Sequence, residues 1–177
     1  MTLPTCPKQC EAMAWGSHMP ILLEAIGRTN GDVLEIGVGH FSTPHLHHLC
    51  AGMKRRLDSV EQAKDWHDEF AVKFRSNTHS FHHGEYMDVL PLLAKLPWSV
   101  VFIDNSPGGK ARSDIFELFI DRANFVIVHD YHLENEDAIK PLLTNTPHMV
   151  FDLYQPPTLL ASRKTLGEVL PDLHERH

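Results

Sequence analysis

Three short runs constrain what this chain can fold into: "DVLEI" (Asp32 to Ile36), "SVVFID" (Ser99 to Asp104) and "FVIVHD" (Phe125 to Asp130). Each is apolar at successive positions rather than at every second one, the pattern of a strand buried on both faces. A sheet buries both faces only beneath helices, and the segments between the runs carry helical periodicity. After the first run, Thr43 is placed to cap a helix with Pro44 at its first position. Leu46, Leu49 and Cys50 then share one face, and Gly52 is a stop. "RLDSV" (Arg56 to Val60) reads as a strand, Ala63 to Phe74 as a helix, "THSFHH" (Thr78 to His83) as a strand, and Val89 to Lys95 as a short helix. In "SDIFELFIDRA", Ile115, Leu118 and Phe119 form a helical stripe beside Arg122. Asn135 to Leu143 reads as a helix, and "MVFDLY" and "TLLASR" as closing strands joined at Pro156-Pro157. From Lys164 onward a surface helix or a loose tail is expected.

The 177 residues carry no repeat, linker or low-complexity segment, so one domain is expected over 1–177. Its core would span about 15–163, with an N-terminal arm (1–14) and a C-terminal tail (164–177). "GSHM" (Gly16 to Met19) resembles a tag remnant but runs smoothly into "PILLEAIG", and reads as native. A hydrophobic fraction of 42% and a charged fraction of 22% fit a soluble globular protein. No apolar stretch is long enough to span a membrane, and no signal-peptide layout opens the chain. Cys6, Cys10 and Cys50 are odd in number and lack a CxxC, which points to a reducing, cytoplasmic compartment. A net charge of −7 argues against a nucleic-acid partner, and Lys54-Arg55-Arg56 reads as a solvated helix end.

In a doubly wound sheet, ligands bind where the strands end, at their carboxyl termini. Those positions here are glycine or polar: Glu35 to Gly39, Glu61, Gly84-Glu85, Asp104-Asn105 and His129 to His132. Gly37 and Gly39 would let backbone N–H groups and a helix N-terminus approach a ligand, or serve a tight structural turn. A dinucleotide loop would place a third glycine where Ser42 stands. Glu35 ahead of the glycines suits a cationic group better than a phosphate. Glu61 could accept both hydroxyls of a ribose or simply open the next helix. Glu85 could accept from an adenine amino group or be a helix-start charge.

Together these three strand ends resemble the class I S-adenosylmethionine-dependent methyltransferases. In that family an acid-x-Gly-x-Gly loop follows the first strand, a ribose-binding acid ends the second, and an acid after the third reads the adenine. Glu35-Ile36-Gly37-Val38-Gly39, Glu61 and Glu85 stand in those places, with "VVFID" as fourth strand, "FVIVHDYH" as fifth and a final strand pair. "WGSHMPILLEAIG" is similar to the helix that precedes the first strand and lines the cofactor pocket in small members. The resemblance covers roughly Trp15 to Arg163. It implies a Rossmann-like, doubly wound, three-layer α/β/α fold with a mostly parallel seven-stranded sheet and an antiparallel last strand. It also implies S-adenosyl-L-methionine held among Trp15, His18, Glu35, Gly37, Gly39, Phe41, Ser42, Thr43, Glu61, Gln62, Gly84, Glu85 and Asp104. Phe41 departs from the family, which keeps a third loop glycine there.

The expected activity is methylation of a small molecule, with oxygen as acceptor, in a pocket that a homodimer or partner chain would complete. The alternatives are a silent adenosyl-binding subunit and a nicotinamide-dependent reductase. A hydroxyl acceptor needs its proton removed or its alkoxide stabilised. Some O-methyltransferases of this fold do so with a divalent ion such as Mg²⁺, held by acids after the fourth and fifth strands and an amide. Asp104 and Asp130 match the acids, Tyr131 replaces the amide, and Asn105 or His132 would substitute. Otherwise a histidine would be the general base: Asp130 could orient either His129 or His132, with His132, further out on the loop, the better candidate and His129 alternatively packed beneath the sheet. "DNSPGGKARSD" (Asp104 to Asp114) is either an anion cradle charged by Lys110 or Arg112, or a turn whose Asp114 caps a helix. The clusters His45/His47/His48 and His79/His82/His83 read as solvated surface rather than zinc sites, and Trp15, Trp66 and Trp98 as packing residues, with Trp15 alternatively bordering the cofactor pocket.

Overall fold

A computed structural model describes residues 15–162. Cys6, Cys10, the N-terminal arm and the tail beyond Ser162 lie outside the described residues. The seven strands among these residues are β1 (Asp32–Ile36), β2 (Leu57–Glu61), β3 (His79–His83), β4 (Trp98–Ile103), β5 (Phe125–Val128), β6 (His148–Phe151) and β7 (Thr158–Ser162). They form one sheet in the order β3-β2-β1-β4-β5-β7-β6. The first five pair in parallel, whereas β7 runs antiparallel to both β5 and β6. The expected architecture is therefore the observed one, and the strand order reverses between β1 and β4, opening a crevice at their carboxyl ends.

Among the described residues six α-helices cover the sheet: α1 (Met19–Gly27), α2 (Thr43–Gly52), α3 (Lys64–Phe74), α4 (Tyr86–Leu93), α5 (Lys110–Ile120) and α6 (Glu134–Ile139). Successive strand residues point to opposite faces, so the continuous apolar runs feed two cores at once. Val33, Val100, Phe102 and Ile127 pack under Ile21, Leu22, Ala25 and Ile26 of α1 and Leu46 and Cys50 of α2. Leu34, Ile36, Val101, Ile103 and Val126 pack under α4, α5 and α6 through Leu90, Ile115, Phe116, Phe119 and Ile139. Phe70 and Ala71 of α3 close a smaller core with Val38 and Phe81.

Several boundaries differ from the sequence reading. Ser42, not Thr43, holds the N-cap position of α2, without a side-chain cap bond, and the Thr43 hydroxyl bonds elsewhere. β5 stops at Val128 because Asp130 adopts φ +53° and turns the chain out of the sheet. The expected helix Asn135 to Leu143 is split into α6 and a 3₁₀ turn, Lys140–Leu143, where Pro141 has no N–H to continue the α ladder. α4 begins at Tyr86 rather than Val89, and α5 starts at Lys110 with Gly109, not Asp114, at its N-cap.

Arg55 corrects the reading of the basic run as solvated. Lys54 and Arg56 are exposed, but Arg55 is buried. Its guanidinium donates to the carbonyls of Ile26, Thr29 and Gly31 and to the Thr29 hydroxyl. It thus satisfies carbonyls that the C-terminus of α1 leaves open and ties that helix to the start of β2. No helix among the described residues is long and apolar enough to cross a membrane.

Candidate functional site at the strand carboxyl ends

The loop after β1 is shaped by two glycines with different tasks. Gly37 has φ +87°, and a Cβ there would sit 2.5 Å from the Asp104 carbonyl oxygen and 2.8 Å from the Asn105 nitrogen. Its missing side chain admits the backbone at the end of β4. Gly39 faces more open space: a Cβ would meet only Ser42 Oγ, at 3.5 Å. Between them, Val38 N–H donates to Glu61 Oε2 at 3.1 Å, while Glu61 Oε1 accepts from Ala63 N–H at 2.8 Å. The carboxylate at the end of β2 therefore holds the glycine loop as well as its own helix start. Gln62 reaches the loop after β4, its amide donating to Ser106 O at 3.0 Å. Glu85, at the N-cap of α4, is exposed, and Gly84 is half-buried beside it. Phe41 lies over Gly16, where a Cβ would meet its ring at 3.3 Å, and Trp15 next to Gly16 is exposed.

Glu35, on β1 just before the glycine loop, is enclosed by polar groups. It is fully buried, with Thr43 Oγ1 donating to one carboxyl oxygen at 2.9 Å and Ser59 Oγ to the other at 2.5 Å. Burial pushes its pKa up to about 7 against the pull of Ser59, Ser42 and Thr43. The chain of polar groups continues from Ser59 to His79 Nε2 (2.8 Å) and from His79 Nδ1 to His47 Nδ1 (3.1 Å). His79 is buried and His47 half-buried, so two of the histidine clusters read as solvated surface meet inside the protein. Burial and the neighbouring His47 lower the pKa of His79 to about 3.

The densest set of ionisable groups lies where β4 and β5 end. Asp104 and His129 occupy the next register position after Ile103 and Val128, so they are side by side on the face covered by α1. His129 Nδ1 lies 3.2 Å from Asp104 Oδ1 and 3.6 Å from Asp130 Oδ1. His18, just before α1, packs between Phe102 (4.7 Å) and His129 (4.6 Å, edge-on). Burial, then His129, lowers the His18 pKa to about 3, so the ring is neutral at neutral pH. Beneath them Arg112 is buried and fully engaged, donating to Asn105 O, His129 O and Asp104 Oδ1 and lying 3.5 Å from Asp130 Oδ2. It is a structural clamp, not the free cation expected of an anion cradle. Lys110, the other candidate, is exposed and paired with Asp114.

His132, the base candidate preferred from sequence, stands exposed on the loop and outside this cluster, whereas His129, open from sequence to either a base or a packing role, belongs to it. Aligning the two strands by their terminal acids would put Asp104 opposite Asp130. The actual register is one residue out of that alignment, and it brings His129 to Asp104 instead. Asn105 is also turned away from the cluster, with its amide donating to Pro107 O.

No family model matches the sequence, and no match is found among curated proteins. Solved structures do match. The O-methyltransferase of Bacillus cereus, in complex with S-adenosylhomocysteine, aligns with TM-score 0.59 and 15% identity over 90% of this chain and 83% of that one. The S-adenosylhomocysteine-bound methyltransferase PaMTH1 of Podospora anserina aligns with TM-score 0.61 and 10% identity over 93% and 99%. An RNA methyltransferase from Salinibacter ruber, also with S-adenosylhomocysteine, gives 0.53 and 13% over 90% and 92%. With the strand order and the antiparallel β7, these likenesses establish that the chain has the fold of the class I S-adenosylmethionine-dependent methyltransferases.

Proposed function

We propose that the protein is an S-adenosylmethionine-dependent methyltransferase that methylates a small molecule at oxygen. The observation that carries this reading is the Glu61 carboxylate, which ends β2 and holds the backbone of the Val38-Gly39 loop at the β1/β4 crevice. An acid there has its remaining acceptor capacity free for ribose hydroxyls, beside the open face at Gly39. In this reading the methionine end of the cofactor lies near Phe41, Trp15 and Asp104, and the adenine near Gln62, Gly84 and Glu85.

The neighbours of the fold include both O-methyltransferases and RNA methyltransferases, so the acceptor class is argued from this chain. A net charge of −7 disfavours phosphate backbones. Trp15, Leu133, Leu153 and Tyr154 are exposed on segments at the carboxyl end of the sheet, a surface suited to a small apolar or aromatic acceptor. Proximity supplies much of the rate for a sulfonium donor, and His132 beside Asp130 is the solvent-facing base for an acceptor hydroxyl.

Calorimetric titration tests the cofactor. S-adenosylmethionine and S-adenosylhomocysteine are expected to bind with micromolar affinity, NAD(H) not at all, and Glu61→Gln to weaken binding about tenfold or more. Unchanged affinity in Glu61→Gln would remove the site assignment. Binding without turnover on any hydroxylated acceptor would favour the second reading, a silent adenosyl-binding subunit, to which the Phe41 departure points.

A further inference from the structure

We propose that His18, Asp104 and His129 form a binding site for one divalent transition-metal ion, of the Zn²⁺ or Co²⁺ type. One ligand atom from each of the three lies within 4.8 Å of the others, and no other such group of three is found among the described residues. The donors come from three separate segments: the turn before α1, the end of β4 and the end of β5.

The hydrogen bonding around the cluster leaves its ligand atoms open. Ser17 Oγ donates its one proton to Pro156 O at 2.7 Å. The 2.9 Å contact between Ser17 Oγ and His129 Nε2 therefore has the ring donating, so Nε2 carries the hydrogen. His129 Nδ1 faces Asp104 Oδ1 at 3.2 Å and Asp130 Oδ1 at 3.6 Å, an arrangement that a cation held between ring and carboxylates would complete. No hydrogen bond fills that role: His129 Nδ1 and both ring nitrogens of His18 are buried with no hydrogen-bond partner among the described residues. An orphaned buried ring nitrogen is costly, and two such rings converging on one carboxylate are the donor arrangement of a metal centre.

The outer groups match as well. A metal-bound histidine commonly donates its second N–H to a fixed acceptor, and Ser17, itself held by Pro156 O, fulfils that role for His129. Arg112 fixes Asp104 through one oxygen while a carboxylate has lone pairs to spare. Two carboxylates face this one guanidinium, leaving one negative charge in excess for a cation. Two imidazoles with one carboxylate favour Zn²⁺, Co²⁺ or Fe²⁺ over Mg²⁺, which prefers oxygen ligands. The set shares Asp104 with the acid-acid-amide arrangement considered from sequence but replaces Asp130 and His132 by two histidines, one just before α1 and one just after β5. Such a three-ligand site leaves coordination positions for water or an oxygen ligand. That the oxygen belongs to the methyl acceptor rests on the proposed function; ion binding itself does not.

The test uses the full chain, stripped with EDTA and titrated with Co²⁺ while visible d–d absorption is recorded, followed by competition with Zn²⁺ and Mg²⁺. One Co²⁺ per chain is expected, displaced by Zn²⁺ and not by a hundredfold excess of Mg²⁺. His129→Ala and His18→Phe are expected to lower Co²⁺ affinity by at least about 100-fold. The phenyl ring keeps the packing against Phe102, and circular dichroism verifies the fold. Asp104→Asn is the second variant should either histidine change impair folding. His48→Ala, an exposed histidine outside the cluster, is expected to bind Co²⁺ as the parent does. Parent-like binding in His18→Phe and His129→Ala, or no binding by the parent at 100-fold molar excess of Co²⁺, would overturn the proposal. Loss of the spectrum in His129→Ala with S-adenosylmethionine binding intact separates the metal site from the cofactor site.

Discussion

At the scale of single residues, burial decides what a charged or small side chain means. Glu35 is the last residue but one of β1 and Glu61 ends the neighbouring β2, yet one is enclosed by hydroxyls and the other clamps a loop at the crevice. The raised pKa of Glu35 gives a sign that can be checked. Between about 4.5 and about 7 the folded state keeps a proton that the unfolded chain has released, so this group's contribution to stability falls as pH rises through that window. His18 and His79 act in the opposite direction, because their lowered pKa values make stability fall as pH drops below 6.5. The difference between Glu35→Gln and the parent isolates the acid. In urea denaturation it is expected to be near zero at pH 4.5 and to favour the variant by about 2–3 kcal/mol at pH 8. The two glycines give a second contrast. Gly37→Ala meets both a positive φ and the β4 backbone, and a loss of about 3 kcal/mol or more, or failure to fold, is expected in the same assay. Gly39→Ala has room for its methyl group and is expected to stay within about 1 kcal/mol of the parent.

At the scale of elements, the helices are placed by side chains that reach carbonyls at their ends. Arg55 serves three carbonyls around the end of α1, and Arg112 serves the two loops after β4 and β5. Arg55→Met would bury those acceptors unpaired and is expected to cost about 2–4 kcal/mol in chemical denaturation. Arg55→Lys is expected to recover less than half of it, since one ammonium cannot reproduce the fork. Helical periodicity and strand runs were legible because they depend on neighbours along the chain. The elements of "DVLEI", "SVVFID" and "FVIVHD" fall within two residues of where the sequence places them. Two misjudged features depend on something distant, Arg55 on the carbonyls of Ile26 to Gly31 and His47 on His79, whereas the end of β5 is set locally by the left-handed turn at Asp130.

For the whole molecule, the proposed binding of an adenosyl ligand in the crevice between β1 and β4 would feed back on stability. S-adenosylhomocysteine at 100 times its Kd is expected to add about 2.7 kcal/mol, raising the melting temperature by roughly 5–10 °C in differential scanning fluorimetry, while NADH leaves it unchanged. An unchanged melting temperature with the adenosyl ligand would count against the proposed function. By itself the sequence determined the alternation of strands and helices, the double-sided burial of the sheet and the polar residues at its carboxyl ends, because hydrophobic periodicity is a local property. It also placed Glu61, Gly37 and Asp104 at one end of the molecule, since every parallel strand ends on the same side. Only the tertiary structure decided which of those polar groups meet. A register one residue away from the obvious alignment gave Asp104 a histidine neighbour, and the docking of α1 brought His18, 86 positions earlier in the chain than Asp104, against both. Register and helix docking are set by packing across the sheet, which no short stretch of sequence contains.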